Sequence, residues 1–376
     1  MKVCILTTAH SPYDERIFHK EAKSLVEAGY EVVIIAPYEK SELKEGIRIE
    51  AVPPLSSRMD RIWRLKALYK LALQEKADIY HFHDPDLIPV ALRLSRKHRK
   101  PVIYDVHEYY GDSLLTRYWV PKPFRKLVAR AVDQFEKWSA RSFAAVITVN
   151  SNMAELFQRV NPEGEILHNY PLQRQFDFPR PVNVKPPVIL YLGGINRERG
   201  LEVILRAMTS VREKHPEAIC ELVGPVDSAD LGPEFSDLNP WLKQGNVRLR
   251  GKVPYEQVPE ILAQSSIALV PLLPTLNYQK AIPVKLLEYM AAGLPVIGSR
   301  FGYIEEIIDK NQCGLLTKPG DPENLAKDIC TFLEDPQKAL DLGQKGWDAF
   351  HREYTWEKEQ SKLLELYQRI LIKADH

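Results

Sequence analysis

Residues 3–36, "VCILTTAHSPYDERIFHKEAKSLVEAGYEVVIIA", decide the fold class. The run "VCIL" predicts a short buried strand, and "TTAHSPYDERI" predicts a loop that enters a helix. The residues "IFHKEAKSLVEAG" then predict an amphipathic helix that ends at Gly29, and "YEVVIIA" predicts the following strand. This order of elements is a β-α-β unit. Such alternation predicts an α/β fold with a parallel sheet and helices on both faces.

The same alternation continues along the chain and then restarts. Apolar strands are predicted at "ADIYHFHD", "PVIYDVHE" and "AAVITVN", and a second series begins with "PVILYLGGI". Between the two series, residues 171–187 are rich in proline and show no regular period, so we interpret them as a linker. We therefore predict one domain over 1–170 and a second over 188–355, followed by a helical tail. Two doubly wound domains of this kind are expected to face each other across a cleft.

The overall composition limits the class of protein. The net charge of the 376 residues is +1, which argues against a dedicated nucleic-acid-binding protein. The four cysteines are far apart, and three lie in or beside apolar runs, so we expect buried free thiols rather than disulfides or a zinc site. No apolar run approaches the ~18–20 residues of a membrane span, and the N-terminus has too short an apolar core for a signal peptide. We therefore expect a cytoplasmic protein.

Polar residues follow several predicted strands of the first domain. In open α/β sheets, ligands bind outside the carboxyl ends of the strands. The motif "HFHDPD" (81–86) has the residue types of a metal site, but its place at a strand end before a proline favours polar residues that line a cleft. We expect no bound metal and no cofactor. The residues to examine at these strand ends are His10, Asp14, His83, Asp84, His107 and Glu108.

The loop "YLGGINRERGLE" is a candidate phosphate site in the second domain. Gly193 and Gly194 end a strand without side chains, so a ligand can approach the backbone closely. Arg197 and Arg199 then precede a predicted helix that starts near Gly200. Free N–H groups at a helix start, together with cations, suit a phosphate. The alternative is an ordinary tight turn with solvated arginines.

A second candidate lies in "PVKLLEYMAAGLPVIGS" (283–299), a predicted helix followed by a strand. The helix can begin at Pro283, and its first N–H groups lie at a strand end with Lys285 nearby. Glu288 lies one turn further along, where a carboxylate can accept two hydrogen bonds from a ribose diol. The alternative for Glu288 is a surface charge. Phosphate sites and a diol acceptor in one domain together indicate a nucleotide.

Basic residues are concentrated in part of the first domain. Residues 51–150 carry 18 Lys and Arg against 10 Asp and Glu. Most of these cations lie in segments 58–70 and 96–130, interleaved with apolar residues. Two interpretations remain open: solvated helix faces, or peripheral contact with an anionic membrane at its inner face.

The second half of the chain resembles a known family. The strings "YLGGINRERGLEVIL" (191–205), "KAIPVKLLEYMAAGLPVIGS" (280–299) and "IIDKNQCGLLTKPGDPENLA" (307–326) resemble the retaining family-4 glycosyltransferases of GT-B fold. The first half is similar more loosely, through "DERIFHKEAKSLVEAGYEV" and "ILHNYP". The resemblance implies two Rossmann-like domains, with the sugar donor in the C-terminal one and the acceptor in the N-terminal one. It also implies a final helix, about 356–376, that crosses back to the N-terminal domain.

The resemblance implies roles for individual residues. Glu288 resembles the glutamate that binds the donor ribose, and Arg199 lies where the family usually has a phosphate-binding lysine. His107 resembles the histidine near the transferred sugar, and His10 lies in the first, acceptor-facing loop. The implied donor site comprises Gly193, Gly194, Arg197, Arg199, Lys252, Val253, Pro283, Val284, Lys285, Leu286 and Glu288, and the acceptor site comprises His10, Asp14, His83 and His107.

Two positions depart from the family pattern. Gly194 stands where many members have an arginine, so Arg199 is expected to carry more of the diphosphate charge. Lys280 stands where the family usually has a glutamate that contacts the donor sugar. An acidic sugar paired with the Lys280 ammonium is one interpretation, and a lysine that points to solvent is the other. We count His107, Arg199 and Lys280 as the candidate catalytic residues.

The implied activity is that of a metal-independent, retaining glycosyltransferase. Its donor would be a nucleotide-diphosphate sugar, with a UDP-sugar favoured, and its acceptor a glycan, a lipid-linked or a small molecule in cell-surface polysaccharide or glycoconjugate synthesis. Two alternatives remain. One is a nucleotide-sugar 2-epimerase of the same architecture, and the other is a non-catalytic partner subunit, which the changes at Gly194 and Lys280 would favour.

Overall fold

The computed structural model describes residues 1–53, 60–111, 114, 121–178, 186–227, 233–235 and 237–374. The chain forms two compact units. The first contains Met1–Asn169 and Trp356–His376, and the second contains Tyr170–Thr355. Each unit is an α/β structure built on its own sheet, as the repeated strand and helix pattern predicts.

An eight-stranded sheet forms the centre of the first unit. Its strands are β1 (Lys2–Leu6), β2 (Glu31–Pro37), β3 (Glu42–Lys44), β4 (Ile47–Val52), β5 (Ile79–Phe82), β6 (Val102–Val106), β7 (Ala145–Thr148) and β8 (Glu165–Ile166). Their spatial order is β3-β4-β2-β1-β5-β6-β7-β8, and only β3 pairs antiparallel within the described part of this sheet. The chain builds outward from β1 on one side and from β5 on the other. The topological switch point, where ligands bind in such sheets, therefore lies between β1 and β5.

The described helices of the first unit connect these strands. They include a π-helix, Glu15–Ala22, that continues as α1 (Lys23–Glu27). The others are α2 (Asp60–Glu75), α3 (Ile88–Leu92) with the π-helical Arg93–Lys97, α4 (Arg125–Ala140) and α5 (Ser151–Gln158), and short 3-10 turns cover Pro85–Leu87 and Lys122–Phe124. Residues 58–59, 112–113 and 115–120 of the basic segments lie outside the described residues, as do residues 54–57.

The central strands are buried on both faces. Each residue from Val32 to Ala36 of β2 is at most 1% exposed, and the same holds for Val3 to Leu6 of β1. Since successive side chains of a strand point to opposite faces, burial of every residue means that both faces of the sheet are covered. This is why these strands have continuous apolar sequences rather than alternating ones.

The second unit contains a six-stranded parallel sheet. Its strands are β9 (Val188–Leu192), β10 (Ile219–Val223), β11 (Val247–Gly251), β12 (Ile267–Val270), β13 (Val296–Ser299) and β14 (Gly314–Thr317). Their spatial order is β11-β10-β9-β12-β13-β14. The chain runs outward from β9 through β10 and β11, and then from β12 through β13 and β14. The switch point of this sheet therefore lies between β9 and β12.

Helices follow the strands of the second unit. They are α6 (Leu201–Lys214), α7 (Asn239–Leu242), α8 (Val258–Ala263), α9 (Leu276–Lys280), α10 (Val284–Ala291), α11 (Gly302–Asn311), α12 (Pro322–Glu334) and α13 (Pro336–Glu353), with short 3-10 turns at Pro233–Phe235 and Tyr255–Gln257. The first part of the predicted linker is structured, because Gln173–Phe176 form a 3-10 turn and Phe176 is buried in this unit's core. Residues 179–185 of the linker lie outside the described residues.

The predicted helical tail contains α13 and one further helix, and that further helix belongs to the first unit. After α13 the chain turns at Tyr354 and Thr355, and α14 (Trp356–Ala374) packs against the beginning of the chain. Trp356 is completely buried, and its Nε1 donates a hydrogen bond to Ser24 Oγ at 3.0 Å. Leu363 and Tyr367 are also buried. Within the described residues, no helix has both the length and the apolar character that crossing a bilayer requires.

Candidate functional site

The predicted glycine loop of the second unit follows β9, at the switch point of the sheet. Gly193 has a φ of +119°, which side chains disfavour, and its N–H donates to the Val223 carbonyl at 2.8 Å. The loop then enters α6 through Gly200, whose φ is +86°. A Cβ atom on Gly200 would lie only 2.2 Å from the Pro271 carbonyl oxygen. Glycine at both positions therefore lets the backbone turn sharply beside the strand ends.

Two cations converge on this loop from different elements. A Cβ atom built on Gly193 would lie 2.9 Å from the Nζ atom of Lys285, which is in the first turn of α10. A Cβ atom on Gly194 would lie 3.2 Å from Nη1 of Arg199. An arginine at position 194 would therefore meet the Arg199 guanidinium. Gly194 and Arg199 together place a cation over the loop, which gives a physical reason for the first departure from the family pattern.

Aromatic side chains hold the two cations in place. The Lys285 Nζ lies 4.0 Å from the centroid of the Tyr191 ring, and the Tyr191 hydroxyl donates to the Gly194 carbonyl at 2.8 Å. Arg199 donates from Nε to the Tyr278 hydroxyl at 3.0 Å. Neither tyrosine is predicted from the sequence as part of the site. Tyr191 follows the strand pattern of a buried aromatic residue, and only the folded structure shows its hydroxyl at the loop.

The ammonium of Lys285 is unusual because it is buried without a hydrogen-bond acceptor. Among the described residues, Nζ of Lys285 has neither solvent contact nor a hydrogen-bond partner. Burial, followed by the charge of Arg199, lowers the pKa of Lys285 well below its usual value. Such a group is expensive to keep in a folded protein unless a ligand compensates for it. The arrangement is suited to an anion bound beside the Gly193–Gly194 loop.

The start of α10 adds backbone N–H groups to the same region. Pro283 occupies the N-cap position, and its side chain has no group that could accept a capping hydrogen bond. The Leu286 N–H already donates to the Pro283 carbonyl at 2.9 Å, and the Leu286 side chain is buried. The N–H groups of Val284 and Lys285 are thus the better candidates for a ligand. A helix N-terminus carries partial positive charge, which again favours an anion.

Glu288 lies one turn further along α10 and is only 5% exposed. The alternative interpretation as a surface charge is therefore wrong. Every residue of the helix from Leu286 to Ala291 is buried, so Glu288 is enclosed although it carries a carboxylate. Its charge also acts on Lys285, whose pKa it raises in part.

The remaining predicted donor residues lie at the margin of this region. The Arg197 side chain is 61% exposed and faces Glu202, with its Nε 3.6 Å from the carboxylate. Lys252 is exposed and Val253 is half-buried in the loop after β11. Lys280 is the last residue of α9 and is half-buried.

The first unit carries a second group of polar residues at its own switch point. The loop after β1 brings His10 to Asp84, which follows β5, with the His10 Nδ1 atom 3.3 Å from Oδ1. The other oxygen of Asp84 accepts from the Thr7 hydroxyl at 2.6 Å and from the Thr8 amide at 2.7 Å. The hydrogen bond to Asp84, which outweighs burial, raises the pKa of His10. Asp84 is thus an ionised anchor for this loop.

His107 follows β6 and lies beside His10, with 5.7 Å between the ring centroids. Its Nε2 atom is 3.0 Å from His83 Nδ1 and 3.4 Å from Asp105 Oδ1. Arg16 donates to Asp105 Oδ2 from Nε at 3.0 Å and from Nη2 at 2.8 Å. The structure therefore brings the predicted His10 and His107 together and supports them with buried residues.

Two sequence expectations about this region need correction. His81 and His83 were expected to line a cleft, but both are completely buried. As alternate residues they point to the same side of the sheet, where the π-helix Glu15–Ala22 and α14 cover them. His83 instead contacts His107, with its Nδ1 atom 3.0 Å from His107 Nε2. Asp14 caps the π-helix, because its Oδ1 accepts from the amides of Arg16 at 2.9 Å and Ile17 at 3.2 Å.

The buried residues include one group with the composition of a metal site. Glu21, His81, His83 and Asp105 bring one potential ligand atom each within 4.8 Å of one another. The motif at 81–86 offered its own acids, Asp84 and Asp86, for this role, whereas Asp84 binds the loop after β1. Arg16 already lies between two of the four residues, with Nε 2.8 Å from Glu21 Oε1 and Nη2 2.8 Å from Asp105. The guanidinium thus supplies positive charge where an ion would do so.

Comparisons with known proteins agree with this arrangement. The family model described as glycosyl transferases group 1 matches residues 173–348, and the model described as glycosyltransferase family 4 matches residues 5–169. The chain belongs to these glycosyltransferases. The two matched ranges cover the second and first structural units in turn, so the family assignment applies to both sheets.

Relatives of similar length support the same assignment. An uncharacterized glycosyltransferase of Methanocaldococcus jannaschii is 23% identical, and the match covers 92% of this chain and 91% of the relative. A glycogen synthase of Mycobacterium tuberculosis is 21% identical, covering 94% and 90%. Both are glycosyltransferases matched over nearly their whole length, as expected for a chain of the same domain organisation.

Solved structures confirm the predicted GT-B fold. Sucrose-phosphate synthase from Thermosynechococcus elongatus superposes with a TM-score of 0.76 at 19% identity, covering 99% of each chain. HepE of Anabaena in complex with UDP-glucose superposes with a TM-score of 0.69 at 15% identity, covering 98% of this chain and 100% of that one. At such identities the likeness establishes the fold alone.

Proposed function

We propose that this glycosyltransferase is a retaining enzyme that takes a sugar from a nucleotide-diphosphate donor, with a UDP-sugar as the favoured donor. The observation that carries the donor assignment is the pair of cations, Lys285 and Arg199, over the Gly193–Gly194 loop. A buried lysine without a hydrogen-bond acceptor favours an anionic ligand, and the adjacent start of α10 carries N–H donors for the same group. HepE, which shares the fold, is crystallised with UDP-glucose, and this makes UDP the first donor nucleotide to test.

The same cations explain the proposed chemistry. As the bond between the sugar and the diphosphate breaks, negative charge develops on the leaving oxygen. We propose that Arg199, Lys285 and the α10 amides stabilise that charge, and such electrostatic stabilisation typically contributes several kcal/mol of the barrier reduction. We propose that this positive charge serves the role that a divalent metal has in other glycosyltransferases, so that the reaction proceeds without a metal ion or other cofactor.

The ribose of the donor is proposed to bind to Glu288. A carboxylate can accept hydrogen bonds from both hydroxyl groups of a ribose diol. Glu288 is buried on the same helix whose first turn is proposed to bind the diphosphate, so the two groups lie about one helical turn apart. Lys252 and Val253, in the loop after β11, are proposed to contact the base.

On the acceptor side, we propose that His10 and His107 contact the transferred sugar or the acceptor. Their rings are 5.7 Å apart at the carboxyl ends of β1 and β6, where ligands bind in such sheets. The acceptor is proposed to be a glycan, a lipid-linked or a small molecule, and the product a cell-surface polysaccharide or glycoconjugate. The retaining stereochemistry and the transfer of the acceptor proton to the leaving phosphate rest on the family resemblance.

A direct experiment tests the donor assignment and the activity together. The purified protein is titrated with UDP by calorimetry, with and without EDTA, and is then incubated with UDP-sugars in the absence of an acceptor. We expect binding that EDTA does not affect, and slow release of free UDP from one of the sugars. An isomerised UDP-sugar without free UDP would instead indicate the epimerase, and no binding of any nucleotide diphosphate would indicate the non-catalytic subunit. Anomeric proton couplings of a transferred product then test retention.

Lys280 bears on the choice of sugar. It ends α9 and is half-buried, close in sequence to α10. We propose that its ammonium favours a donor with an acidic sugar. UDP-glucuronic acid and UDP-glucose are a matched pair for this test, because they differ in one carboxylate. A preference for the acidic sugar that is lost in Lys280→Gln is expected, and equal use of both sugars by the unaltered enzyme would contradict the proposal.

We also propose peripheral contact with an anionic membrane through α4 of the first unit. Exposed apolar side chains follow one another along this helix and its entry turn at helical spacing, namely Phe124 (56% exposed), Leu127 (67%), Phe135 (43%) and Trp138 (45%). The Arg96 guanidinium lies 4.5 Å from the centroid of the Trp138 ring, and the helix itself carries further basic residues. Aromatic and aliphatic groups among cations are typical of helices that lie in a membrane interface.

Vesicle binding tests this contact. We expect the protein to sediment with vesicles that contain phosphatidylserine, less with neutral vesicles, and less at high salt. Leu127→Glu should weaken the binding, whereas Leu276→Glu, at an exposed leucine of the second unit, serves as the matched control. Binding that is independent of lipid charge, of salt and of the Leu127 substitution would contradict the proposal.

A further inference from the structure

Buried polar residues lie beside His107, and the proposed reaction assigns no role to them. The Nε2 atom of His107 lies between His83 Nδ1, at 3.0 Å, and Asp105 Oδ1, at 3.4 Å. A neutral histidine carries its single proton on either Nε2 or Nδ1, and the partner of one nitrogen decides which. The charge state of Asp105 and the tautomer of His83 therefore determine which nitrogen of His107 is left as a hydrogen-bond acceptor.

Asp105 is ionised in this environment. Burial by itself would raise its pKa, but the Arg16 guanidinium, together with the facing histidines, holds the pKa of Asp105 well below its usual value. Two hydrogen bonds from Arg16 occupy Oδ2 and leave Oδ1 directed to His107. If the proton of His107 were on Nδ1, the lone pair of Nε2 would face this carboxylate oxygen at 3.4 Å. A proton on Nε2 replaces that repulsion with an attraction.

His83 completes the same arrangement. Burial, followed by the charges of the neighbouring histidines, lowers the pKa of His83 well below its usual value, so its ring is neutral. When His107 donates from Nε2, His83 accepts at Nδ1 and carries its own proton on Nε2, which faces Glu21 Oε2 at 3.5 Å. A carboxyl oxygen of Glu21 can accept from this N–H. The opposite tautomer of His83 would turn a lone pair toward Glu21 instead.

We propose that Asp105 and His83 are positioning residues that fix His107 as its Nε2–H tautomer, so that its Nδ1 atom is a hydrogen-bond acceptor for a substrate hydroxyl group. The part of this proposal that concerns the substrate rests on the proposed glycosyl transfer. It specifies that the ligand group at Nδ1 is a hydroxyl rather than a carboxylate or phosphate oxygen, because two acceptors cannot share a hydrogen bond. His107 would thus bind a sugar hydroxyl and take no part in holding the donor diphosphate.

Other groups around the cluster are compatible with this tautomer. His81 has a partner of its own, since its Nδ1 atom lies 2.8 Å from the Tyr367 hydroxyl of α14. The ring of His10 faces His107 but has Asp84 as its own carboxylate partner. Arg16 contributes the positive charge between Glu21 and Asp105. The cluster can therefore be neutralised by Arg16 and one shared proton.

Nitrogen-15 NMR of the histidine-labelled protein measures the tautomer directly. We expect His107, assigned by its absence in His107→Gln, to show a protonated Nε2 and an unprotonated Nδ1 at pH 8. In Asp105→Asn the population should move toward the Nδ1–H form, and in His83→Phe the Nε2 resonance should shift. Tyr367→Phe is the matched control, because it removes a hydroxyl from His81 and should leave His107 unchanged.

Other outcomes of this experiment would overturn the proposal. These are an Nδ1–H tautomer or a stable imidazolium in the unaltered protein at pH 8, or a metal ion on His83 found by elemental analysis and by its effect on the ring nitrogens. If Asp105→Asn fails to fold, His83→Phe and the unaltered protein still answer the question. The NMR result stands even if no glycosyl transfer is found, so failure of the proposed function is distinguishable from failure of this inference.

Kinetics test the consequence for the substrate. With an active donor and acceptor pair, we expect Asp105→Asn to lower kcat about tenfold or more, the size of effect typical of outer partners that orient metal-binding histidines. UDP affinity should stay within about twofold, since His107 is not proposed to touch the diphosphate. A loss that appears equally in UDP affinity and in kcat would contradict the positioning role.

Discussion

Each structural unit contains a buried basic side chain, and the surroundings of the two side chains are opposite. In the second unit, the Lys285 ammonium is buried beside Arg199 without a hydrogen-bond acceptor among the described residues. In the first unit, the Arg16 guanidinium is equally buried but binds Asp105, faces Glu21 and donates to the Leu167 carbonyl at 3.0 Å. A cation that is satisfied inside the protein holds the structure together. One that is left unsatisfied at a strand end indicates that its counter-ion is a ligand.

The two cations also differ in what they contribute to stability. Removing one partner from a buried ion pair leaves an uncompensated charge and is strongly destabilising. Removing an uncompensated cation has the opposite tendency, because the cost of its burial disappears. Substitutions of Lys285 and of Arg16 should therefore affect ligand binding and folding in opposite ways.

The largest effect is expected for Lys285→Met, which keeps an unbranched side chain of nearly the same length and removes its charge. UDP affinity should fall about a hundredfold, in line with the loss of a charge-assisted contact worth about 2–3 kcal/mol. The free energy of unfolding should not fall. Calorimetry and urea denaturation measure the two quantities, and Lys318→Met, at an exposed lysine of the same unit, is the control. A loss of stability without a loss of affinity would refute the assignment.

Arg16→Met should have the reverse profile. The buried carboxylates of Glu21 and Asp105 would lose their cation, and the first unit should lose about 3–5 kcal/mol of stability. UDP affinity, measured at a temperature where the variant is folded, should remain within about twofold. If UDP affinity fell as far as in Lys285→Met while stability was retained, the distinction between the two cations would be wrong.

Glu288→Ala should weaken UDP binding about tenfold without unfolding the protein, because one carboxylate that accepts hydrogen bonds from a diol contributes about 1–2 kcal/mol. Comparing two nucleotides in both the unaltered and the substituted protein tests this prediction more closely. In the unaltered protein, 2′-deoxy-UDP should bind more weakly than UDP, and in Glu288→Ala the difference should largely disappear. Additive losses from the two changes would place the ribose elsewhere.

The smallest effect is a proton uptake that accompanies binding. The pKa of Lys285 is lowered in the free protein, chiefly by burial, and a bound diphosphate would raise it. Binding should therefore take up a fraction of a proton, and UDP affinity should decrease as the pH rises from the lowered pKa of Lys285 in the free protein to its higher pKa in the complex. Calorimetry in two buffers of different ionisation enthalpy measures this uptake, and Lys285→Met should abolish it. A net release of protons on binding would contradict the expected direction.

Several features could be predicted from the sequence because they depend on local order. The β-α-β pattern of residues 3–36 and its repetition predicted two parallel sheets, since period and strand length are properties of short segments. The Gly193–Gly194 loop and the helix that begins at Pro283 were recognised in the same way. The position of these motifs after strands also predicted their edge of the sheet, where the structure has them.

The predictions that were wrong concern residues whose role depends on which other elements pack around them. His81 and His83 were expected to line a cleft, and only the folded π-helix and α14 show that both are buried. Asp14 appeared to be a ligand residue, whereas its carboxylate is used to cap a helix. In each case the sequence contained the residue type but not its structural surroundings, which form only when the chain folds.

The sequence by itself therefore determined the fold, the family and the segments that carry the proposed donor site, because these follow from periodicity and from motifs within about twenty residues. Only the tertiary structure decided that Lys285 and Arg199, 86 positions apart (285 minus 199), meet over one glycine loop. It also decided that Arg16 joins Asp105, and that Asp105 in turn faces His107. The physical reason is that charge and hydrogen bonding act over a few ångströms in space, and the order of strands in the sheets, rather than the order of residues in the chain, sets those distances.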